Sequence, residues 1–154
     1  MLIMKKASIQ EKEILSSFYK NHILLNNIDF FNEEFKFFIA LEDNFPKGFS
    51  QIKFIHDKLA EISLIYIDEK ESIYDLGDGL LRATLNYIKS NNYNWTVIKG
   101  SKELENFLYE GGLKPLIKSK IPNEISDYIR EYNQNQDFFS DIQTFFSQGC
   151  KHSK

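Results

Sequence analysis

The most continuous apolar run in the chain lies between residues 60 and 68 and ends at Asp68. Such a run is typical of a strand buried on both faces. Apolar residues then recur at helical spacing at Leu80, Leu81, Leu85 and Ile88. This spacing predicts a helix over residues 76–90, and Asp75 and Asp78 stand where N-terminal caps are common. A strand, a short turn and a helix start predict a phosphate site, because unpaired N–H groups converge at the positive end of the helix dipole.

The pattern before this segment predicts a strand, a helix and an antiparallel meander. Ser8 and Glu11 have the spacing of a capping box, which predicts the start of a helix over residues 9–22. The other expected elements are a strand over 2–7, a loop or short helix over 23–34, and strands over 35–42 and 49–55 with a turn at 43–48 between them. A further turn at 56–58 leads into the apolar strand.

The pattern after the helix predicts one parallel crossover and a helical C-terminal region. Trp95, Val97 and Ile98 indicate a short strand over 94–99, which a right-handed crossover places parallel to the apolar strand. Further elements are expected at 101–112 (helix), 113–121 (strand), 124–132 (helix) and 137–147 (helix). The predicted fold class is therefore α/β (α+β), with a mixed, mostly antiparallel central sheet flanked by helices and extra C-terminal helices.

Composition narrows the class of protein. The 154 residues are 42% hydrophobic and 15% aromatic, which predicts one domain over residues 1–148 and a disordered tail over 149–154. A net charge of −3 gives no general attraction to nucleic acid or to an anionic membrane. The one cysteine, Cys150, fits a reducing compartment, so we expect a cytoplasmic protein. Cys150 and His152 are too few to form a zinc site, and we expect no metal.

Two segments resemble motifs of the GCN5-related N-acetyltransferase family. In that family the fourth strand ends in a Val-Asp-Pro-like step, followed by Arg/Gln-x-x-Gly-x-Gly/Ala and a leucine-rich helix. Here Ile67, Asp68 and Glu69 begin the step, and the helix follows without a gap. Residues 101–113 have the length and the Gly-hydrophobic ending of the family's later Asn-x-x-Ala-x-x-Leu-Tyr-Glu-Lys-x-Gly-Phe motif. The resemblance implies a GCN5-related acetyltransferase fold and acetyl-CoA as co-substrate.

The residues of the cofactor turn depart from the family pattern, and two alignments remain open. Without a gap, Ser72 occupies the Arg/Gln position, Asp75 the first glycine and Gly77 the second. A shift by two residues instead uses Tyr74, Gly77 and Gly79. The resemblance implies cofactor binding by the strand edge and by the turn, that is by Ile65, Ile67, Ser72, Ile73, Tyr74, Asp75, Leu76, Gly77, Asp78 and Gly79. Asp75 opposes this role because its carboxylate repels a phosphate or caps the helix itself.

The catalytic groups follow from the same resemblance. The family's tyrosine acid falls on Leu108, and Tyr109 is its neighbour, so Tyr109 is the candidate acid or a packed or surface aromatic residue. Glu61 is the candidate base or a paired structural carboxylate; His56 is an alternative base. Ser101 either binds the pantetheine arm or caps its own helix.

Two functions remain open from the sequence. The first is an acetyl-CoA-dependent N-acyltransferase that transfers acetyl to an amine of an unknown small molecule or peptide by direct attack. The second is a non-catalytic binding or interaction module on the same fold with a degenerate cofactor site. The phenylalanines at 138, 139, 145 and 146 are expected to pack on the core, with a homodimer interface or a substrate pocket as alternatives.

Overall fold

A computed structural model describes residues 1–148 of the chain. The strands are β1 (Leu2–Lys6), β2 (Lys36–Glu42), β3 (Phe45–His56), β4 (Leu59–Ile67), β5 (Trp95–Ile98), β6 (Lys114–Pro115) and β7 (Phe138–Asp141). The helices are α1 (Ile9–Tyr19), α2 (Leu76–Ser90), α3 (Lys102–Glu110) and α4 (Ile142–Ser147). Cys150, His152 and the predicted tail lie outside the described residues. No helix among residues 1–148 has the length and apolar character needed to cross a membrane.

The seven strands form one sheet in the order β1-β2-β3-β4-β5-β7-β6. Strands β1 to β4 pair antiparallel, and β4 pairs parallel with β5 through the α2 crossover. The predicted meander, the crossover and the mixed, mostly antiparallel sheet are confirmed. The predicted turn at 43–48 was too long, because Asp43 and Asn44 alone form the hairpin loop. Their φ angles of 51° and 69° match the positive values that a two-residue hairpin requires.

Helices cover both faces of the sheet. On one face α2, α3 and α4 pack against apolar side chains of the central strands, with Leu80, Leu81 and Leu85 fully buried. On the other face α1 covers an aromatic cluster that includes Phe49. A third cluster, formed by the segment 116–132, packs against Leu59 and Val97 on the face of α1. The two clusters on this face leave room between them beside the middle of β4.

The predicted capping box at the start of α1 is present. The N–H of Glu11 donates to Ser8 Oγ, and Glu11 Oε1 accepts from the Ser8 N–H at 2.9 Å. The hydrogen bonds from the Ser8 side chain and backbone lower the pKa of Glu11. The helix ends at Tyr19, earlier than predicted, and residues 20–35 form successive turns.

We expect Ser8→Ala to lower the free energy of unfolding by about 1 kcal/mol at pH 7, because it removes the cap acceptor. A lowered pKa of Glu11 means that its contribution is present above the unfolded value of about 4.3 and is lost as pH falls through the folded value. Urea unfolding at pH 7 and pH 3 measures both effects. Ser17→Ala, on the exposed side of α1, is the control; an equal loss for Ser8→Ala at both pH values would contradict the role of Glu11.

The C-terminal region differs from the prediction in three places. The strand predicted over 113–121 is wrong: only Lys114 and Pro115 pair, and the chain then turns into a 3₁₀ helix at Lys118–Lys120. The helix predicted over 124–132 is a 3₁₀ helix at Asn123–Tyr128. The helix predicted over 137–147 is a strand, β7, followed by the short α4. Strand β7 inserts between β5 and β6, and its pairing with both satisfies backbone groups that a helix would bond internally.

The C-terminal phenylalanines mostly pack against the core, as predicted. Phe138 and Phe145 are 3% and 5% exposed and belong to the main core, and Phe146 packs against its surface. Phe139 lies on the opposite face. Phe139 and Phe145 also line a cavity of about 260 Å³ bounded by β6, β7 and α4. The homodimer alternative stays a prediction.

Candidate functional site

The central feature of the site is an unpaired length of β4. Strand β5 ends at Ile98, in register with Ile62, and the last bond between them runs from the Lys99 N–H to the Ile62 carbonyl at 3.0 Å. Strand β4 continues to Ile67 with β3 as its neighbour on one side. The two parallel strands therefore diverge, and one edge of β4 is open beyond Ile62.

The backbone groups of Ile65 and Ile67 face this opening. Their side chains lie in the same core as that of Ile62, so they share its face of the sheet. In a strand the face of a side chain and the direction of its N–H and C=O groups alternate together, so these residues point away from β3 as Ile62 does. Asp68 has the opposite orientation, and its N–H bonds Lys47 of β3 at 2.9 Å. The two isoleucines predicted at the cofactor edge thus present peptide groups that pair with no other segment in the described part of the chain.

The chain runs from this edge into the N-terminus of α2. The Asp75 N–H donates to Ser72 Oγ at 3.2 Å, and the Leu76 N–H donates to the Ser72 carbonyl at 2.9 Å. The next two amides, of Gly77 and Asp78, have no acceptor among residues 1–148. Two helical N–H groups are therefore available at the positive end of the α2 dipole.

Neither aspartate of the turn caps the helix with its side chain. Asp75 occupies the N-cap position, but its exposed carboxylate makes no capping hydrogen bond, which corrects the prediction that it caps. Its φ of −91° and ψ of −65° are helical, whereas a capping residue has extended backbone. The Asp78 carboxylate lies 3.4 Å from Arg82 Nε, one turn along the helix. Among residues 1–148, therefore, no cation pairs with the charge of Asp75, which stands beside the two unpaired amides.

The glycines of the turn have a packing role. A Cβ at Gly77 would lie 3.0 Å from Phe107 of α3, and a Cβ at Gly79 would lie 3.2 Å from the Met4 side chain. Gly77 therefore allows α3 to approach the start of α2. The Phe107 ring also meets Tyr74 edge-on, with centroids 6.3 Å apart. The predicted site residues Ile73 and Leu76 lie beside them, Ile73 packed against the main core and Leu76 buried in it.

Helix α3 carries the remaining residues predicted from the second motif. Ser101 caps it, because its side chain accepts from the Leu104 N–H at 3.3 Å. Leu108, at the position of the family acid, is fully buried in the main core. Tyr109 is 60% exposed, since one residue along a helix turns the side chain by about 100°.

Glu61 lies on the opposite face of β4, held by hydroxyl groups. Its carboxylate accepts hydrogen bonds from Tyr132 Oη and Ser63 Oγ, and Lys99 Nζ lies 3.9 Å from Glu61 Oε1. Glu61 is 6% exposed. Burial, and then the hydrogen bond to Glu61, raise the pKa of Tyr132, which keeps its hydroxyl protonated as a donor. The arrangement fixes one carboxylate in a defined orientation next to the diverging strands.

A groove of about 660 Å³ opens beside this carboxylate, between the two clusters on the α1 face. We call it the β4 groove; it is lined by β3 and β4, by Lys99, by Phe35, and by the side chains of 127–132 that face it. Sequence reasoning missed Tyr132, Lys53 and Lys99 as its members. Lys53 could have been found in part from the sequence, because it stands opposite Glu61 in the antiparallel meander. The other candidate base, His56, lies outside the groove and its ring contacts Tyr128.

No protein-family model matches the sequence, and no curated protein is significantly similar to it. Solved structures do match. GCN5 from Tetrahymena has a TM-score of 0.72 at 11% identity, with 91% of this chain and 96% of that chain covered. An acetyltransferase of the GNAT family from Staphylococcus aureus has a TM-score of 0.67 at 14% identity, covering 92% and 99%. AtaTR bound with AcCoA has a TM-score of 0.65 at 11% identity, covering 96% and 97%. The chain therefore has the fold of the GCN5-related N-acetyltransferases.

Proposed function

We propose that the protein is an acetyl-CoA-dependent N-acyltransferase. The observation that supports this proposal most directly is the open edge of β4 at Ile65 and Ile67. From this edge the chain leads to the unpaired amides of Gly77 and Asp78. An extended chain with peptide groups, such as pantetheine, pairs with an open strand edge as an added strand does. A pyrophosphate at its end suits the helix N-terminus. The likeness to a protein bound with AcCoA supports this assignment.

The acceptor amine enters through the β4 groove and attacks the thioester carbonyl carbon. A C–N bond forms, the C–S bond breaks, the amine proton passes to Glu61, and the departing CoA thiolate takes a proton from water. Glu61 suits this role because it lines the groove and Tyr132 and Ser63 hold its carboxylate in place. The Ser101 hydroxyl retains its proton for the pantetheine arm while its oxygen caps α3.

Isothermal titration of the protein with acetyl-CoA tests the proposal directly. We expect saturable binding, with protection of the amides of Ile65 and Ile67 from hydrogen exchange. Coenzyme A without the acetyl group is the matched ligand and should protect the same amides. Absence of heat and of thermal stabilisation at millimolar acetyl-CoA would end the proposal and leave the binding-module function, which the exposed carboxylate of Asp75 favours.

We expect Asp75→Asn to tighten acetyl-CoA binding about fivefold at low salt. A carboxylate about 4 Å from a phosphate costs on the order of 1 kcal/mol in water, and Asp75 is exposed to solvent. The gain should shrink at about 0.5 M salt because screening weakens the repulsion. Asp57→Asn, in the exposed turn between β3 and β4, makes the same charge change away from the site and should not alter affinity. Equal affinities for Asp75→Asn and the unsubstituted protein would place the pyrophosphate elsewhere.

A further inference from the structure

The β4 groove contains a lysine that its neighbours do not neutralise. Lys53 of β3 is directly opposite Glu61 of β4, and opposed residues in an antiparallel pair share one face of the sheet. The Glu61 carboxylate nevertheless bonds the hydroxyls of Tyr132 and Ser63. Within the described part of the chain no carboxylate lies within 4 Å of the Lys53 ammonium, which sits 5.9 Å over the ring of Phe35.

The other charges of the groove have partners or lie at its rim. Lys99 Nζ is 3.9 Å from Glu61 Oε1, and Asp127 is bound by Arg130 at 2.7 Å. Glu131 is exposed to solvent at the rim, where water screens its charge. Lys53, which is half-buried, is therefore the cation within residues 1–148 that the groove holds ready for an anion.

We infer that the acceptor is a small amine that also carries an anionic group, a carboxylate or a phosphate, close to the amine. The anionic group binds Lys53, and the amine faces Glu61. The ammonium group of Lys53 repels an acceptor that is purely cationic, and it favours the neutral, nucleophilic form of the acceptor's amine. An acceptor with an anionic group instead compensates Lys53. This inference rests on the proposed function, because it assigns the acceptor to the same groove.

Binding of acetylated products tests the inference without requiring turnover. The probes are N-acetylglycine, its neutral analogue N-acetylglycinamide, and N-acetylated phosphoethanolamine, each titrated into the full-length protein and followed by NMR at Gln51, Lys53 and Ser63. We expect one or both acids to bind at least about tenfold more tightly than the amide, since a charged hydrogen bond is lost in the amide. The two acids distinguish a carboxylate from a phosphate.

Lys53→Met should remove this preference and leave binding of the amide unchanged. Lys6→Met, an exposed lysine on the far edge of the sheet, is the control and should keep the preference. Equal binding of acids and amide, no binding of any probe, or a preference that survives Lys53→Met would overturn the inference. Acetyl transfer to glycinamide as efficient as to glycine would refute it while leaving the transferase intact. Acid binding through Lys53 without any acetyl transfer would refute the transferase alone.

Discussion

Replacing Glu61 by Gln should lower kcat for acetyl transfer by about 10²- to 10⁴-fold, the usual contribution of a positioned general base. The two hydroxyls bond different oxygens of Glu61, so the introduced amide would accept from one of them through its carbonyl oxygen and donate from its NH₂ group to the other, and the fold should survive. The side chain would no longer take the proton of the attacking amine. Stopped-time assays of CoA thiol release, with an acceptor identified by screening amines, measure the loss. Acetyl-CoA affinity by calorimetry should stay within about twofold, because Glu61 lies on the face opposite the α2 core.

Glu13→Gln provides the matched control for this substitution. Glu13 is exposed on α1, so removal of its charge should leave kcat unchanged. Retention of more than half of the activity by Glu61→Gln would make Glu61 a structural carboxylate that anchors Tyr132.

Phe49→Ala should lower the free energy of unfolding by about 3–5 kcal/mol, the range for a buried phenylalanine. Phe49 is fully buried on β3, and the rings of Tyr19, Phe30 and Tyr66 surround it at centroid distances of 5.5, 5.3 and 5.9 Å. Truncation therefore leaves a cavity between α1 and the sheet. The surrounding aromatic rings are rigid and closely packed, so they do not move to fill it. Urea unfolding followed by circular dichroism gives the loss.

Phe45→Ala is the control on the same strand. Phe45 is 62% exposed, so its truncation should change the free energy of unfolding by less than about 0.5 kcal/mol. Comparable losses for the two variants would mean that the aromatic cluster beneath α1 does not hold that helix to the sheet.

Elements with a long, regular pattern were predictable from the sequence. The apolar stripe of α2 reflects burial on one face of the helix, and it repeats over enough residues to distinguish a helix from a strand. The parallel pairing of β4 and β5 followed from the order strand, helix, strand. Strand β7 was not predictable, because four residues with two phenylalanines fit a short helix equally well.

The candidate site was predictable only in part. The turn at residues 72–79 and the β4 edge could be located, because their neighbours carry recognisable spacing. The absence of a capping bond from Asp75 could not be predicted, because an aspartate at this position of the sequence can either cap the helix or remain exposed. The contact between Glu61 and Tyr132 joins residues 71 positions apart, through a segment predicted as α-helix and observed as a 3₁₀ helix and turns.

The amino-acid pattern was therefore sufficient for the order of strands and helices up to α3, for the crossover between β4 and β5, and for the position of the turn before α2. These features depend on local periodicity and on chain connectivity. Three-dimensional contacts were needed for the open edge at Ile65 and Ile67, for the hydroxyl groups that hold Glu61, and for the uncompensated charge of Lys53. Those features depend on where β5 ends beside β4 and on how residues 116–137 fold back over the sheet, and packing between distant segments sets both.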